Sequence, residues 1–203
     1  MGFRSVLHAA HELVAERLHP GGVAVDATVG NGVDTLFLCL RVGRRGTVYG
    51  CDIQEEAIER ARRRLAERLS EPPQRLVLVR RSHHELDEIV DARDRGRVSA
   101  VMFNLGWLPH GDPSVVTRPE TTLPALDAAL ALLAPGGVLT VVAYPGHPGG
   151  DAEAEAVERW ARRLPSERFE ALLYRFCNRP DRSPYLIAVE KRKRGLSERS
   201  GAS

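Results

Sequence analysis

Two groups of residues in this chain have the types and spacing to do chemistry. The first is Asn104-Leu105-Gly106-Trp107, in which a side-chain amide is followed one short turn later by an indole. The amide oxygen can accept a hydrogen bond from a target nitrogen, and the indole face can stack on a planar base. Asp112 lies in the same loop and is the first candidate to take a proton from such a nitrogen, ahead of Tyr144 and His147. A Gly-Asp-Pro turn is its bland alternative, and for Trp107 the alternative is packing beneath Leu108-Pro109.

The second group surrounds a glycine loop. The run Val23-Ala24-Val25-Asp26 breaks at Gly30-Asn31-Gly32 and resumes as a helical pattern in Leu36-Phe37-Leu38, giving a strand, a tight turn and a helix start. Gly30 and Gly32 can take positive φ and let a ligand approach the backbone, while the amides opening the next helix point into the same space. A second β-rich run, Thr47-Val48-Tyr49-Gly50-Cys51, ends in Asp52. Its distance from the loop, about 20 residues, suits an acid that accepts hydrogen bonds from ribose hydroxyls.

That arrangement could hold a dinucleotide or a nucleoside such as S-adenosylmethionine. The dinucleotide fingerprint wants a third glycine and a pyrophosphate at the helix start, but this chain has Thr35 at that position and Asp34 beside it. An acid there repels a diphosphate and suits a cationic ligand carrying an ammonium and a sulfonium. Asp34 could equally be a helix-start acid favoured by the dipole.

The elements that must position these residues alternate along the chain. An amphipathic helix from Phe3 to Leu18 is expected to pack over one edge of a sheet. Strands follow at Val23 to Asp26, Thr47 to Cys51, Arg75 to Val79, Ser99 to Phe103 and Val138 to Tyr144. Helices are expected at 35–42, 54–69, a short stretch to Val90, 122–133, which Pro135-Gly136-Gly137 should end before the fifth strand, and 151–164. Two last β-runs, Phe169 to Cys177 and Tyr185 to Glu190, are joined by a linker too short for a crossover helix, so they should be antiparallel neighbours. The expected fold is an α/β Rossmann-like domain over residues 1–191, whose closing hairpin matches a class I methyltransferase by fold analogy alone. Its seven-stranded sheet is mostly parallel, with the last two strands an antiparallel pair and helices on both faces. Residues 192–203 form a basic, then Ser/Gly-rich tail that should be disordered.

Composition narrows the function classes. The chain has 203 residues, 43% hydrophobic and 28% charged, with a formal net charge of +2, so no global basic field announces nucleic acid. Nearly every basic residue is Arg, with Lys only at Lys191 and Lys193, which is either a compositional bias or a preference for groups that stack on bases and fork onto phosphates. Cys39, Cys51 and Cys177 are widely spaced in apolar or strand-like contexts, which fits reduced core thiols and implies neither a disulfide frame nor a metal. With no neighbouring base, none of them suggests a covalent adduct with uridine. No apolar run reaches the roughly 18 residues of a membrane span, and a cytoplasmic location is expected.

The segments D-A-T-V-G-N-G-V-D-T, Y-G-C-D-I-Q, S-H, F-N-L-G-W-L-P-H-G-D, Y-P-G-H-P and I-A-V-E-K together resemble the YtqB/MnmM family of bacterial methyltransferases, over about Val25 to Lys191. The Asn104 segment also has the spacing, without the prolines, of the N-P-P-[YFW] motif of amino-methylating enzymes. The resemblance implies S-adenosylmethionine as cofactor and methylation of the 5-aminomethyl group of a wobble uridine, often 2-thiolated, in the tRNA anticodon arm. It also implies a homodimer and cofactor contacts from Asn31, Asp34, Asp52, Gln54, Ser82 and His83. On physical grounds Asp52 can hold the ribose, Gln54 the sugar or adenine edge, and Ser82 and His83 the adenine, although Ser82 could instead cap the next helix in a box with Glu85. His110 stands where the family pattern has Gly. The open alternatives are methylation of another amine, on rRNA or a small molecule, and a non-catalytic RNA-binding module on the same fold.

Overall fold

Runs of apolar residues with little polar alternation make strands that are buried on both faces, as a parallel sheet between two helical layers requires. The computed structural model describes residues 2–108 and 116–193. Among these, the strands are β1 (Val23–Asp26), β2 (Thr47–Asp52), β3 (Arg75–Arg80), β4 (Val98–Asn104), β5 (Leu133–Ala143), β6 (Phe169–Tyr174) and β7 (Tyr185–Lys191). They form one sheet in the order β3-β2-β1-β4-β5-β7-β6, with β7 antiparallel to both its neighbours and the other pairs parallel. The chain order reverses between β1 and β4, which opens a crevice beyond their carboxyl ends. The expected seven-stranded sheet with an antiparallel β6-β7 pair is therefore the observed one.

The helices are α1 (Val6–Ala15), α2 (Val33–Val42), α3 (Glu55–Arg68), α4 (Leu86–Ile89), α5 (Pro119–Leu132) and α6 (Gly150–Arg162). One core lies between the sheet and α1 to α3, around Val14, Leu38, Ile58 and Leu186. The other lies between the sheet and α4 to α6, around Phe103, Leu126, Val157 and Ile187. No helix among the described residues is long and apolar enough to cross a membrane.

Three expectations are corrected. Ala10 and Val14 of α1 pack with Val138, Val142 and Leu186, so α1 covers a face of the sheet at β5 and β7 rather than an edge. Pro135-Gly136-Gly137 does not separate helix from strand: β5 begins at Leu133, and the irregular register from Val98↔Leu133 to Ala100↔Val138, with Gly136 at φ 83°, absorbs the extra residues inside the ladder. Cys177 is exposed and lies past the end of β6, so only Cys39 and Cys51 are core thiols. Burial pushes the Cys39 thiol up to about 12 and the Cys51 thiol higher still, keeping both protonated. The tail from 194, and with it most of 192–203, lies outside the described residues, as do His110 and Asp112.

Candidate active site

The glycine loop is shaped by two different demands. Gly30 has φ 50° and a Cβ there would meet Thr28 and Leu108 only at ordinary contact distance, 3.7 and 3.8 Å. Gly32 has φ 72°, and its Cβ would sit 2.7 Å from the Ala61 Cα. Gly32 thus serves the close packing of α2 on α3, while Gly30 is the position that leaves the backbone open. Asn31 turns toward α3: its Oδ1 accepts from Arg60 at 3.1 Å and its carbonyl from Arg64 at 2.7 Å.

Asp52, at the end of β2, accepts the Gly30 N–H on Oδ2 at 2.9 Å and the Gln54 N–H on Oδ1 at 3.0 Å. Each oxygen keeps further acceptor capacity for hydroxyl donors. Burial raises the Asp52 carboxyl from its usual range, and these amides oppose the shift. Asp26, at the end of β1, is fully buried and serves the loop rather than a ligand: Oδ1 accepts the Thr28 N–H at 3.1 Å and Oδ2 the Thr35 hydroxyl at 2.6 Å. Burial, with the nearby Asp34 charge second, pushes Asp26 up to about 7.

Asp34 is buried in the first turn of α2, and its Oδ1 is 2.6 Å from His11 Nε2 on α1. The His11 ring is stacked on Phe37, centroids 4.0 Å apart and 2° from parallel. The acid is therefore both a first-turn residue and a cavity-facing carboxylate, held in one orientation by a histidine that the sequence pattern did not single out.

After β3, Glu85 accepts the Ser82 N–H at 3.1 Å in a capping box, and the Ser82 hydroxyl is 2.8 Å from His84 Nδ1. The capping alternative for Ser82 is thus realised, while the residue still lines the cavity. His83 is buried against Phe103 with Nε2 3.2 Å from the Thr121 hydroxyl, and burial pushes its imidazole down to about 4. It is a neutral wall, and His84 is the exposed one of the pair.

At β4, the Asn104 side chain lies near the Tyr144 hydroxyl, and both line the same cavity. The Asn104 N–H donates to the Thr28 hydroxyl at 2.7 Å, which ties the end of β4 to the loop after β1. Trp107 is 47% exposed, with its ring edge-to-face against His147 at 4.8 Å and 87°. Leu105 and Leu108, not Trp107, are the buried members of that segment. The strip is stitched across: Thr117 N–H donates to the Gly106 carbonyl at 3.0 Å and Gly106 N–H to the Thr117 hydroxyl at 2.8 Å. Thr117 and Thr122 in turn donate to the buried Glu153 carboxylate at 2.6 and 2.7 Å. Glu153 anchors the mouth from α6, a role without any sequence signal, because the long separations close only in the folded sheet.

These walls enclose one cavity of about 730 Å³ at the switch point, lined by Gly30, Asn31, Asp34, Asp52, Gln54, Ser82, His83, Asn104, Trp107 and Tyr144. Of the predicted residues, Gly32 and His147 do not line it, although His147 supports Trp107. The apolar residues Val33 and Ile53, also missed by motif reading, are exposed and line the same cavity. An amphiphilic ligand of nucleoside size fits that lining: carboxylates for a ribose and an ammonium, apolar side chains for a flat ring.

A family model described as "Putative rRNA methylase" matches residues 48–190. A protein of Arabidopsis thaliana named tRNA (mnm(5)s(2)U34)-methyltransferase, chloroplastic, is 37% identical over 198 residues, covering 95% of this chain and 71% of that protein. Among solved structures, a "putative rRNA-methylase" from Clostridium thermocellum superposes with a TM-score of 0.87 at 38% identity, covering 94% of this chain and all (100%) of that one. A Streptococcus mutans "putative methyltransferase" in complex with SAH gives 0.82 at 31% identity, covering 94% and 99%. With that cofactor product bound to a chain of the same fold, and with the family match spanning most of its length, this chain belongs to the YtqB/MnmM family of S-adenosylmethionine-dependent methyltransferases.

Proposed function

We propose that the protein methylates the exocyclic amine of 5-aminomethyl-(2-thio)uridine at the wobble position of tRNA, with residues 1–191 acting as one catalytic domain. The observation that carries this reading is the continuity of one cavity from Asp52 at β2 to Asn104 and Trp107 at β4. The name of the Arabidopsis relative supports the same substrate. Cofactor binding is assigned to Gly30, Asn31, Asp34, Asp52, Gln54, Ser82 and His83, with Gly32 supporting the loop from below. Asp52 accepts ribose hydroxyls and Asp34, oriented by His11, faces the ammonium.

The bound cofactor supplies an electrophilic methyl group, so transfer forms an N–C bond, breaks an S–C bond and leaves a proton on the nitrogen to be shed. Asn104, beside Tyr144 at the cavity wall, offers its amide oxygen to an N–H of the acceptor amine and so aligns the nitrogen lone pair. Trp107 stacks on the base that has left the anticodon stack. Burial raises the Tyr144 hydroxyl above its usual range, so it stays a neutral hydrogen-bonding group. Asp112 remains the proposed acceptor of the proton.

Free, unpaired Cys39, Cys51 and Cys177 suit a reducing, cytoplasmic setting. A homodimer is part of the same reading, supported by the open edge of β6 with Leu172 and Leu173 exposed on it. The decisive experiment is nucleoside analysis of tRNA from a strain lacking the gene. Accumulation of the unmethylated aminomethyl nucleoside, reversed by the intact gene, is expected. An unchanged tRNA profile would transfer the activity to another amine, and the tRNA assignment would fall.

A further inference from the structure

The charged side chains lining the cavity are distributed unevenly. Among the described residues they are Asp34, Asp52 and Arg118, His83 being neutral. Both acids are engaged, Asp34 by His11 and Asp52 by two backbone amides. Arg118 is exposed at the mouth, and its guanidinium has no hydrogen bond, ion pair or ring contact among the described residues.

Its backbone, by contrast, is held from several sides. The Arg118 carbonyl accepts the N–H of Thr121 at 3.1 Å and of Thr122 at 2.9 Å, and the Thr121 hydroxyl at 3.1 Å. The preceding Thr117 is fixed to Gly106 and Glu153, and Pro119 follows as the first residue of α5. A long cationic side chain on a rigid base, facing a cavity with its donors unspent, suits a ligand that brings the negative charge. The cofactor's one carboxylate shares a carbon with its ammonium, so on the reading that the acid at α2 faces that ammonium it stays at the α2 end of the cavity. A nucleotide entering beside Trp107 brings a phosphodiester on each side of its sugar.

On the reading that the acceptor is a nucleotide of tRNA, we propose that Arg118 forms a phosphate subsite of the acceptor pocket and grips the backbone phosphate flanking the uridine stacked on Trp107. Guanidinium forks match phosphate oxygens, and such a contact positions the nucleotide without reading its base. It releases about one counterion equivalent, so it should register as salt dependence.

The test uses the full chain and tRNA carrying the unmethylated aminomethyl nucleoside. Arg118→Gln should raise KM for tRNA about tenfold and leave kcat and the affinity for S-adenosylhomocysteine unchanged. The slope of log(kcat/KM) against log[salt] should become shallower by about one. Arg118→Lys, which keeps the charge, should recover most of the loss. If wild type methylates tRNA but the Gln variant keeps its KM and salt slope, the phosphate subsite is refuted while the tRNA reading stands. If the Gln variant loses thermal stability and S-adenosylhomocysteine affinity together, Arg118 is a structural residue and the proposal fails. Wild type inactive on this tRNA would overturn both proposals.

Discussion

Asp52 at the end of β2 and Trp107 in the loop after β4 face the same cavity from either side of β1, and the two ends can be separated by substitution. Asp52→Ala removes an ionised acceptor and frees the Gly30 and Gln54 amides, so S-adenosylmethionine binding should weaken by about 1–3 kcal/mol in calorimetric titration. Trp107→Ala should leave that affinity intact and raise KM for tRNA, because an aromatic face returns roughly 1–3 kcal/mol of stacking per base. A Trp107 variant that loses cofactor affinity and melting temperature together would mean the indole is packing, not a platform. Asp52, Gln54, Ser82 and Asn104 were legible because a polar residue at the end of a predicted strand can face the crevice whatever the neighbours do. His11 was not, since its partner Asp34 comes 23 residues later and meets it only when α1 lies across the sheet face. Ile53 and Val33 were missed for a related reason: an apolar residue reads as core until the fold leaves it exposed beside a cavity.

At the scale of elements, the strand-helix alternation and the short final linker determine most of the topology, because a parallel crossover needs a helix and a short connection forbids one. What the pattern misplaced were boundaries set by pairing: β5 recruits Leu133 through Gly137 into its ladder because β4 offers a partner at Val98. The glycine loop shows how one motif holds two unlike constraints. Gly32→Ala forces a left-handed conformation and drives Cβ into Ala61 of α3, at a cost of about 2–5 kcal/mol. Gly30→Ala carries the conformational cost alone, about 1–2 kcal/mol, since its Cβ meets nothing closer than 3.7 Å. Urea unfolding of the two variants should therefore rank Gly32→Ala as clearly less stable. Equal destabilisation would show that α2 and α3 part without penalty and that Gly32 is not a packing glycine.

For the whole molecule, the sheet ends are unequal. β3 is bordered by Arg75 and Arg80, whereas β6 pairs among the described residues with β7 alone and carries Leu172 and Leu173 to solvent. The chain start adds to that side: the Tyr174 hydroxyl donates to the Arg4 carbonyl at 2.8 Å, Phe176 meets Phe3 edge-on at 6.5 Å, and Phe3 is 88% exposed. An open, apolar strand edge is a template for another strand, and natural proteins usually blunt one with charge or cover it. Pairing β6 with β6 of a second copy across a two-fold axis would cover it and join the two sheets. It would also offer an anticodon arm a surface wider than one small domain. Light scattering at micromolar concentration should then give twice the 22.4 kDa chain mass, and Leu172→Lys with Leu173→Lys should give a monomer whose melting temperature and S-adenosylhomocysteine affinity are retained. A wild-type monomer with full tRNA activity would defeat the dimer. A lysine variant that stays dimeric would move the interface away from β6.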